Sequence, residues 1–353
     1  MPRSSRRSSI CERPLRPPTS PAGTRRSWLT WTARFRHSTQ RRTNLLNEQI
    51  ATNVGPSQLD IAYERRGRAT DPVVLLVMGV AAQLVNWPEG FLDVLVSRRL
   101  QVIRFDNRDS GHSTHLVDAP SPNLPAALAG DLSSASYTLS DMAADSVGLL
   151  DALGLSAAHV VGASMGGAIA QTMAIEHPDR VRSLTSMMST TGDPSVGQIR
   201  RETMAAVFGG PPATTRQEVI DRAVRAFGII GSPAYPSDPV AIAAQAGIAY
   251  DRDHDEIAVA RQAVASVASG DRTQLLKSLD VPTLIIHGTA DTVCDASGGR
   301  ATAEAIPGAD LVLIEGMGHN IPPGLWDCLA DHIARIVERG EALGKEPESH
   351  TAG

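Results

Sequence analysis

The stretch that decides the fold is residues 158–171, AHVVGASMGGAIAQ. It places Ser164 between Gly162 and Gly166, after a short apolar run and before a helix-like run. A serine with glycine two residues before it and two after it, where a strand passes into a helix, is typical of a nucleophile elbow. The hydroxyl then lies at the start of a helix, whose dipole stabilises developing negative charge. The stretch predicts a nucleophilic serine, against the alternative of a glycine-rich packing turn.

A nucleophilic serine requires a base, and the base requires an acid that orients it. In a fold with this elbow, the acid follows the serine along the chain and the histidine comes last. Asp291 follows an apolar run that ends at His287, and His319 follows the next one, which ends at Ile314. Open α/β sheets place their sites at the carboxyl ends of parallel strands. We therefore expect Ser164, Asp291 and His319 to meet at one edge of a sheet.

Two other side chains compete for these roles. His112 follows Gly111 in a loop near the same edge of the predicted sheet and is the alternative base. Asp295 lies in the same loop as Asp291 and is the alternative acid. The chain order and the glycines beside His319 favour Asp291 and His319 over these two.

Attack on a carbonyl produces an oxyanion, which backbone amides must stabilise. One expected donor is the amide of Met165, directly after the nucleophile. The second is expected from the loop after the third strand, Val73–Val77, and the amide of Val80 is the candidate. Gly79 allows the chain to turn at this point. The sequence predicts an oxyanion hole formed by Val80 and Met165.

Short β-branched runs alternate with helix-like runs along most of the chain, which predicts an α/β fold with right-handed crossovers. We expect a mostly parallel eight-stranded sheet, opened by an antiparallel hairpin, with helices on both faces. The predicted strands are Glu48–Val54, Gln58–Tyr63, Val73–Val77, Val102–Phe105, Ala158–Val161, Val181–Met187, Thr283–His287 and Leu311–Ile314. The predicted helices of this core are Phe91–Arg98, Leu139–Leu153, Met165–His177, Ser297–Ile306 and Leu325–Arg339.

The alternation stops between residues 191 and 270, which predict a helical cap inserted into a core of residues 44–190 and 271–340. The predicted cap helices are Gln198–Phe208, Gln217–Ile230, Pro239–Asp251 and Asp255–Ser269. Apolar residues of such a cap, with the loop after the third strand, are expected to line an apolar substrate pocket. The candidates are Gly79, Asn86, Trp87, Phe208 and Phe227, with Ile230 and Tyr250 beside them.

Five stretches carry a resemblance to a known family. They are LLVMGVAAQLVNWP from residue 75, VIRFDNRDSGHS from residue 102, the elbow stretch, PTLIIHGTAD from residue 282 and LVLIEGMGHN from residue 311. With them the chain resembles serine esterases of the α/β-hydrolase fold. Within that fold it resembles the actinobacterial group of aclacinomycin methylesterases and mycobacterial LipG-type esterase/lipases.

The resemblance implies an α/β-hydrolase fold, ester hydrolysis, and a triad on Ser164, Asp291 and His319. It also implies that the Val80 and Met165 amides stabilise the oxyanion. The chain departs from the family at Met78, where many relatives have histidine. It departs again at residues 108–111, Arg-Asp-Ser-Gly, where many relatives have Arg-Gly-x-Gly. The first departure leaves the backbone donor in place, and the second affects the shape of a loop.

The predicted function is hydrolysis of a small or medium apolar carboxylic ester through an acyl-enzyme, with no metal or organic cofactor. A methyl ester and a short or medium acyl ester are the expected substrates. The same triad leaves a thioesterase, an amidase, a cofactor-free perhydrolase and a lipase as alternatives. A ligand receptor on a hydrolase scaffold is an alternative of another class. Dehalogenases and epoxide hydrolases are disfavoured, because they carry aspartate where this chain has Ser164.

Composition and charge limit which binding partners and which cellular locations are expected. Residues 1–43 hold eleven arginines and one acidic residue, so this basic extension carries about +10 and the rest of the chain about −15. The extension is expected to be disordered. A non-native start is the favoured explanation for it, and a basic tail for anionic surfaces and an organelle-like transit peptide are the alternatives. Because the remainder is acidic, no nucleic-acid partner is expected. The chain has three cysteines and no apolar run long enough for a membrane span.

We therefore expect a cytoplasmic enzyme without a signal peptide, with weak association with a membrane surface as an alternative. Its expected partner is a small-molecule ester, and a homodimer is one compatible assembly. Residues 341–353 are expected to form a flexible tail.

Overall fold

A computed structural model describes residues 47–209 and 213–343 of the chain. Eight strands form a single sheet in the order β1-β2-β4-β3-β5-β6-β7-β8. They are β1 (Gln49–Val54), β2 (Leu59–Arg66), β3 (Val73–Val77), β4 (Gln101–Phe105), β5 (Ala158–Ala163), β6 (Val181–Met187), β7 (Thr283–Gly288) and β8 (Asp310–Ile314). β2 pairs antiparallel with β1 and with β4, and every other pair is parallel. The predicted fold class is confirmed.

The strand register brings the carboxyl ends of the parallel strands to one edge. Val77 at the end of β3 lies beside Gly162 of β5, and Ala163 lies beside Met187 of β6. At the same edge, Gly288 of β7 lies beside Ile314 of β8. The loops that follow β3, β5, β7 and β8 are therefore neighbours, and these loops hold the predicted site residues.

β2 continues three residues beyond the end predicted at Tyr63. The extension contains Glu64, a charged residue that breaks the apolar pattern and is buried in the sheet. It is paired there with the buried guanidinium of Arg104, whose Nε donates to Glu64 Oε2 over 2.7 Å. A buried charge is tolerated when it is paired in this way, and the partner lies 40 residues away in the sequence.

Helices cover both faces of the sheet. The core helices are α1 (Glu89–Ser97), α2 (Leu124–Leu128), α3 (Leu139–Ala152), α4 (Met165–Glu176), α9 (Thr273–Leu276), α10 (Ala296–Ala305) and α11 (Trp326–Leu343). Between β6 and β7 lie α5 (Arg201–Phe208), α6 (Arg216–Ile230), α7 (Pro239–Arg252) and α8 (Glu256–Ala268). We call these four helices the insertion. The short helices α2 and α9 were not predicted, because one turn or so of helix leaves no usable periodicity.

α11 ends at Leu343, four residues beyond its predicted end and inside the predicted tail. Its last turn is held against the sheet by Glu341, which accepts hydrogen bonds from Arg182 of β6 and His159 of β5. Gly340 allows this approach, since a Cβ there would lie 2.6 Å from the Arg182 carbonyl oxygen. The rest of the tail and the basic extension of residues 1–43 lie outside the described residues.

The insertion is attached to the core by buried polar contacts. Arg261 of α8 makes a two-pronged ion pair with Asp109, with both N–O distances 2.8 Å, and both side chains are almost fully buried. Arg252 of α7 forms an ion pair with the buried Asp106. Removing one partner of a buried pair costs about 3–5 kcal/mol, because it leaves a charge unpaired. These contacts attach α7 and α8 firmly, whereas the division into core and cap domains stays a prediction.

Within the described ranges, no helix combines the length and the apolar character that crossing a bilayer requires.

Candidate active site

Ser164 lies at the junction between β5 and α4, in a strained backbone conformation. Its φ of 57° and ψ of −124° fall outside the regions that residues with a Cβ favour. Such strain costs about 1–3 kcal/mol and persists where the surroundings enforce it. Here the Ser164 amide donates to the Met187 carbonyl of β6 over 2.9 Å, and its carbonyl accepts from the Gly167 amide over 2.9 Å. The turn is the elbow that the sequence predicts.

The two glycines of the elbow allow the helix to start directly against the sheet. A Cβ on Gly162 would lie 2.0 Å from the Gly166 carbonyl oxygen. A Cβ on Gly166 would lie 2.1 Å from the carbonyl oxygen of Val77, at the end of β3. Both distances are far below van der Waals contact, so any larger residue would displace α4 from the sheet and move Ser164 with it.

The structure brings the three predicted triad residues together in one line of hydrogen bonds. The distance from His319 Nε2 to Ser164 Oγ is 3.1 Å. On the other side of the ring, His319 Nδ1 lies 2.7 Å from Asp291 Oδ2. These residues are separated by up to 155 positions in the chain, and the shared sheet edge brings them into contact. This arrangement can transfer a proton from the hydroxyl to the imidazole.

Asp291 is buried, and its surroundings favour the ionised form. Its Oδ1 accepts from the amides of Val293 and Cys294, each over 2.9 Å. His287 Nε2 lies 3.5 Å from its Oδ2, in addition to His319. Burial acts to raise the pKa of Asp291, but the nearby His287 and His319 side chains and the hydrogen bond from the Cys294 amide hold that pKa well below its usual range. The carboxylate is therefore charged wherever the fold is intact, apart from strongly acidic solution.

The two competing residues have other partners. His112 Nδ1 contacts Glu48 at 2.6 Å on a half-exposed surface. Asp295 caps α10 by accepting from the Ser297 amide over 2.8 Å, and its other oxygen accepts from the Gln198 amide over 3.1 Å. Neither contact links His112 or Asp295 to Ser164.

The loop after β3 passes directly over the serine. A Cβ on Gly79 would lie 3.0 Å from Ser164 Cβ and 3.4 Å from its Oγ, so the loop comes this close because residue 79 is glycine. The next amide is that of Val80, and the Met165 amide lies in the first turn of α4, where helix amides have no partner within the helix. Neither amide donates to an acceptor in residues 47–209 or 213–343. Both amides are available to a ligand, and the oxyanion hole that they are predicted to form stays a prediction.

Two residues from the segment between β6 and β7 bond these loops, and neither is predicted from the sequence. The buried Ser232 hydroxyl accepts from the Gly318 amide over 2.9 Å and donates to Asn320 Oδ1 over 2.6 Å. It therefore bonds the residues on both sides of His319. The His319 amide itself donates to the carbonyl of Ile230, at the end of α6. Gln262 of α8 accepts from the Ala81 amide over 3.0 Å. No local sequence pattern marks a serine after a helix, or a glutamine within a helix, as a residue that will bond a distant loop.

The predicted pocket residues have different surroundings. Gly79 adjoins Ser164, whereas the Asn86 side chain accepts from the Gln83 amide of its own loop over 2.7 Å. Trp87 is fully buried and stacks on Phe91 with ring centroids 6.2 Å apart. Phe227 on α6 is 36% exposed, and the Phe208 side chain lies outside the described part of the chain. No observed contact links Asn86, Trp87 or Phe227 to Ser164, and their role in binding substrate stays a prediction.

Across the residues that the structure describes, no group of three or more His, Cys, Asp or Glu side chains is arranged to hold a metal ion. His287, the histidine nearest the Asp291–His319 pair, donates from Nε2 to the Cys294 carbonyl over 2.7 Å.

A model of the alpha/beta hydrolase fold family matches residues 72–323. This chain belongs to that family. The match contains every predicted triad and oxyanion residue, and it confirms the predicted resemblance to the α/β-hydrolase fold.

Individual relatives agree with the family. The chain is 29% identical over 290 residues to the rhodomycin D methylesterase of Streptomyces peucetius, covering 76% of this chain and 92% of that one. It is 25% identical over 232 residues to a 2-hydroxy-6-oxononadienedioate/2-hydroxy-6-oxononatrienedioate hydrolase of Pseudomonas, covering 60% and 72% of the two chains. The solved structure of an enol-lactonase from Burkholderia xenovorans superposes with a TM-score of 0.62 at 22% identity, covering 80% of this chain and 98% of that one. This last likeness concerns the fold alone.

Proposed function

We propose that this protein is a serine carboxylic ester hydrolase whose catalytic triad is Ser164, His319 and Asp291. The observation that supports the proposal most is the line of hydrogen bonds from Ser164 Oγ through the His319 ring to Asp291 at a strained elbow. The enzyme class agrees with the family and with the methylesterase relative, and the class predicted from the sequence is confirmed at this level.

In the first step, Ser164 Oγ attacks the ester carbonyl carbon while His319 Nε2 accepts the hydroxyl proton. Asp291 holds the ring through Nδ1 and stabilises the imidazolium that forms. Its depressed pKa keeps the carboxylate charged during the reaction. The tetrahedral oxyanion receives hydrogen bonds from the amides of Val80 and Met165, and losing one such donor typically costs about 2.7–4 kcal/mol in the transition state.

The intermediate collapses when the C–O bond to the alcohol breaks and His319 gives its proton to the leaving oxygen. An acyl-enzyme on Ser164 remains. In the second step His319 accepts a proton from water, the hydroxide attacks the acyl carbon, and the acid is released as Ser164 regains its proton. No metal or organic cofactor takes part in these steps.

The proposed substrates are small to medium apolar esters, with methyl esters first. Similarity to rhodomycin D methylesterase across most of both chains supports methanol as the leaving alcohol. Short and medium acyl esters are the second class of proposed substrates, because the same triad chemistry acts on their ester carbonyl.

The test is hydrolysis of methyl esters and of p-nitrophenyl esters from acetate to palmitate by the full chain. Ser164→Ala should lower kcat by about 10⁴- to 10⁶-fold, as expected when the nucleophile of a triad is removed. His319→Asn should produce a loss of similar order, whereas His112→Asn is the matched control and should retain the wild-type rate.

Hydrolysis that survives in Ser164→Ala would contradict the proposal. If acyl thioesters, assayed beside these esters, are the only substrates hydrolysed above the uncatalysed rate, the thioesterase alternative is favoured. Rates that rise only above the solubility limit of long acyl esters would favour a lipase.

A further inference from the structure

Gln262 is a fully buried amide from the insertion that contacts the loop over Ser164. Its Oε1 accepts from the Ala81 amide over 3.0 Å, one residue beyond the proposed oxyanion donor Val80. Its Nε2 donates to the carbonyls of Arg108 and Asp109, over 2.9 and 3.5 Å, in the loop after β4. These contacts set the orientation of the amide, because only with Nε2 facing two carbonyls does Oε1 face the Ala81 N–H.

The backbone that Gln262 contacts is strained. Ala81 has a φ of +61°, in the left-handed region that residues with a Cβ disfavour. It is the third residue of a turn closed by a 3.4 Å hydrogen bond from the Ala82 amide to the Gly79 carbonyl. A positive φ at this position is usual in type II turns, which favour glycine there. Rotation of the Val80–Ala81 peptide would relieve the strain and point the Ala81 N–H away from Gln262.

Gln262 is held in place independently of this turn. The neighbouring Arg261 pairs with Asp109 in two N–O contacts of 2.8 Å, and both side chains are almost fully buried. The acceptor for Ala81 is therefore attached to the core through α8 and through the loop after β4. A flexible acceptor could follow the turn as it rotates, but this one cannot.

We infer that Gln262 is a positioning residue: it fixes the Val80–Ala81 peptide and so keeps the Gly79–Ala82 turn, whose first peptide carries the Val80 N–H, in the conformation that the oxyanion hole requires. The inference rests on the proposed function. The hydrogen bond to Ala81 offsets the strain at that residue and disfavours the rotated turn. The insertion thus contributes to the chemical step through the oxyanion hole, although Gln262 touches no reacting atom.

The experiment compares the wild type with Gln262→Met, Ala81→Gly and the double variant in the full chain. Gln262→Met should lower kcat by about 10- to 100-fold, less than outright loss of an oxyanion donor, with KM changed by no more than about threefold. Affinity for an aryl boronic acid, which forms a tetrahedral adduct with Ser164, should fall in parallel with kcat. Affinity for the product acid should stay constant.

Ala81→Gly tests the strain directly, because glycine adopts the observed φ at no steric cost. In the glycine background, replacing Gln262 should lower kcat by a factor about ten times smaller than it does in the wild-type background. A purely structural role for Gln262 predicts equal losses in both backgrounds, and that result would overturn the inference.

Gln245→Met is the matched control for stability. Gln245 is also an insertion glutamine that bonds core backbone, donating to the Val85 carbonyl over 2.6 Å, but it does not contact the turn. The Gln245→Met substitution should lower the Tm of the protein, while kcat stays at the wild-type value. If Gln262→Met does not fold, Gln262→Asn is used in both backgrounds, since its shorter side chain cannot reach Ala81.

The outcomes separate this inference from the proposed function. Hydrolysis that depends on Ser164 but not on Gln262 overturns the inference alone. An absence of Ser164-dependent hydrolysis in the wild type overturns the proposed function.

Discussion

The nucleophile and the two loops that complete its site are held in different ways. The elbow around Ser164 depends on neighbours in sequence and on the sheet beneath it, with Gly162 and Gly166 allowing the close contact. The His319 loop is bonded by Ser232, which lies between α6 and α7, and the loop over the serine is bonded by Gln262 of α8 in addition to core residues. The comparison teaches that the core positions the nucleophile and the Met165 amide, while residues between β6 and β7 help to hold the loop of the base and the loop that carries Val80.

The largest expected effect is on the elbow itself. Gly162→Ala puts a Cβ 2.0 Å from the Gly166 carbonyl oxygen, so α4 must move or the turn must open. We expect a loss of about 2–4 kcal/mol in the free energy of unfolding, measured by urea denaturation, and a loss of ester hydrolysis of about 100-fold or more.

The control for this substitution is Gly228→Ala, in the interior of α6. A Cβ there has no atom within 4 Å among the described residues, so alanine should stabilise the helix by about 0.5–1 kcal/mol. A Gly162→Ala protein as stable and active as the wild type would mean that the elbow does not depend on the close contact.

A smaller effect is expected on the insertion side. Ser232→Ala removes the hydroxyl that bonds the Gly318 amide and the Asn320 side chain, so the His319 ring loses part of its support. Leaving buried groups unpaired should lower the free energy of unfolding by about 1–3 kcal/mol. We expect kcat to fall by about tenfold with little change in KM, since the reacting groups remain but their alignment loosens.

Ser146→Ala is the matched comparison for Ser232. Ser146 is also buried, but its hydroxyl donates to the Met142 carbonyl within α3, away from the site. It should leave kcat unchanged. Equal kcat losses in the two alanine variants would show that the insertion does not position the base.

The smallest effect is a pH dependence of stability at Asp291. Because its folded pKa is depressed, the charged carboxylate contributes stability that is fully present above the unfolded pKa of about 3.9. That contribution is lost as the pH falls toward the folded pKa. Acid unfolding curves should therefore show that Asp291→Asn, which does not titrate, loses less stability than the wild type below pH 4. Parallel curves would contradict this assignment of the charge.

Much of the fold could be predicted because its elements are marked locally. The elbow, the apolar strands and the helix periods lie within short windows of sequence, and the observed boundaries agree within three residues except at the end of α11. The extra turn of α11 depends on the contacts of Glu341 with Arg182 and His159, which lie more than 150 residues away. The extension of β2 depends in the same way on Arg104.

The sequence by itself determined the α/β fold, the elbow and the identities of Ser164, Asp291 and His319 as candidates. These follow from patterns of apolar, glycine and turn residues that act over a few positions. Only the tertiary structure decided that Ser232 and Gln262 hold the loops around the serine. Their hydrogen bonds join residues that lie 86 and 181 positions apart. A buried polar side chain is assigned a partner by packing, and packing across such distances leaves no periodic trace in the sequence.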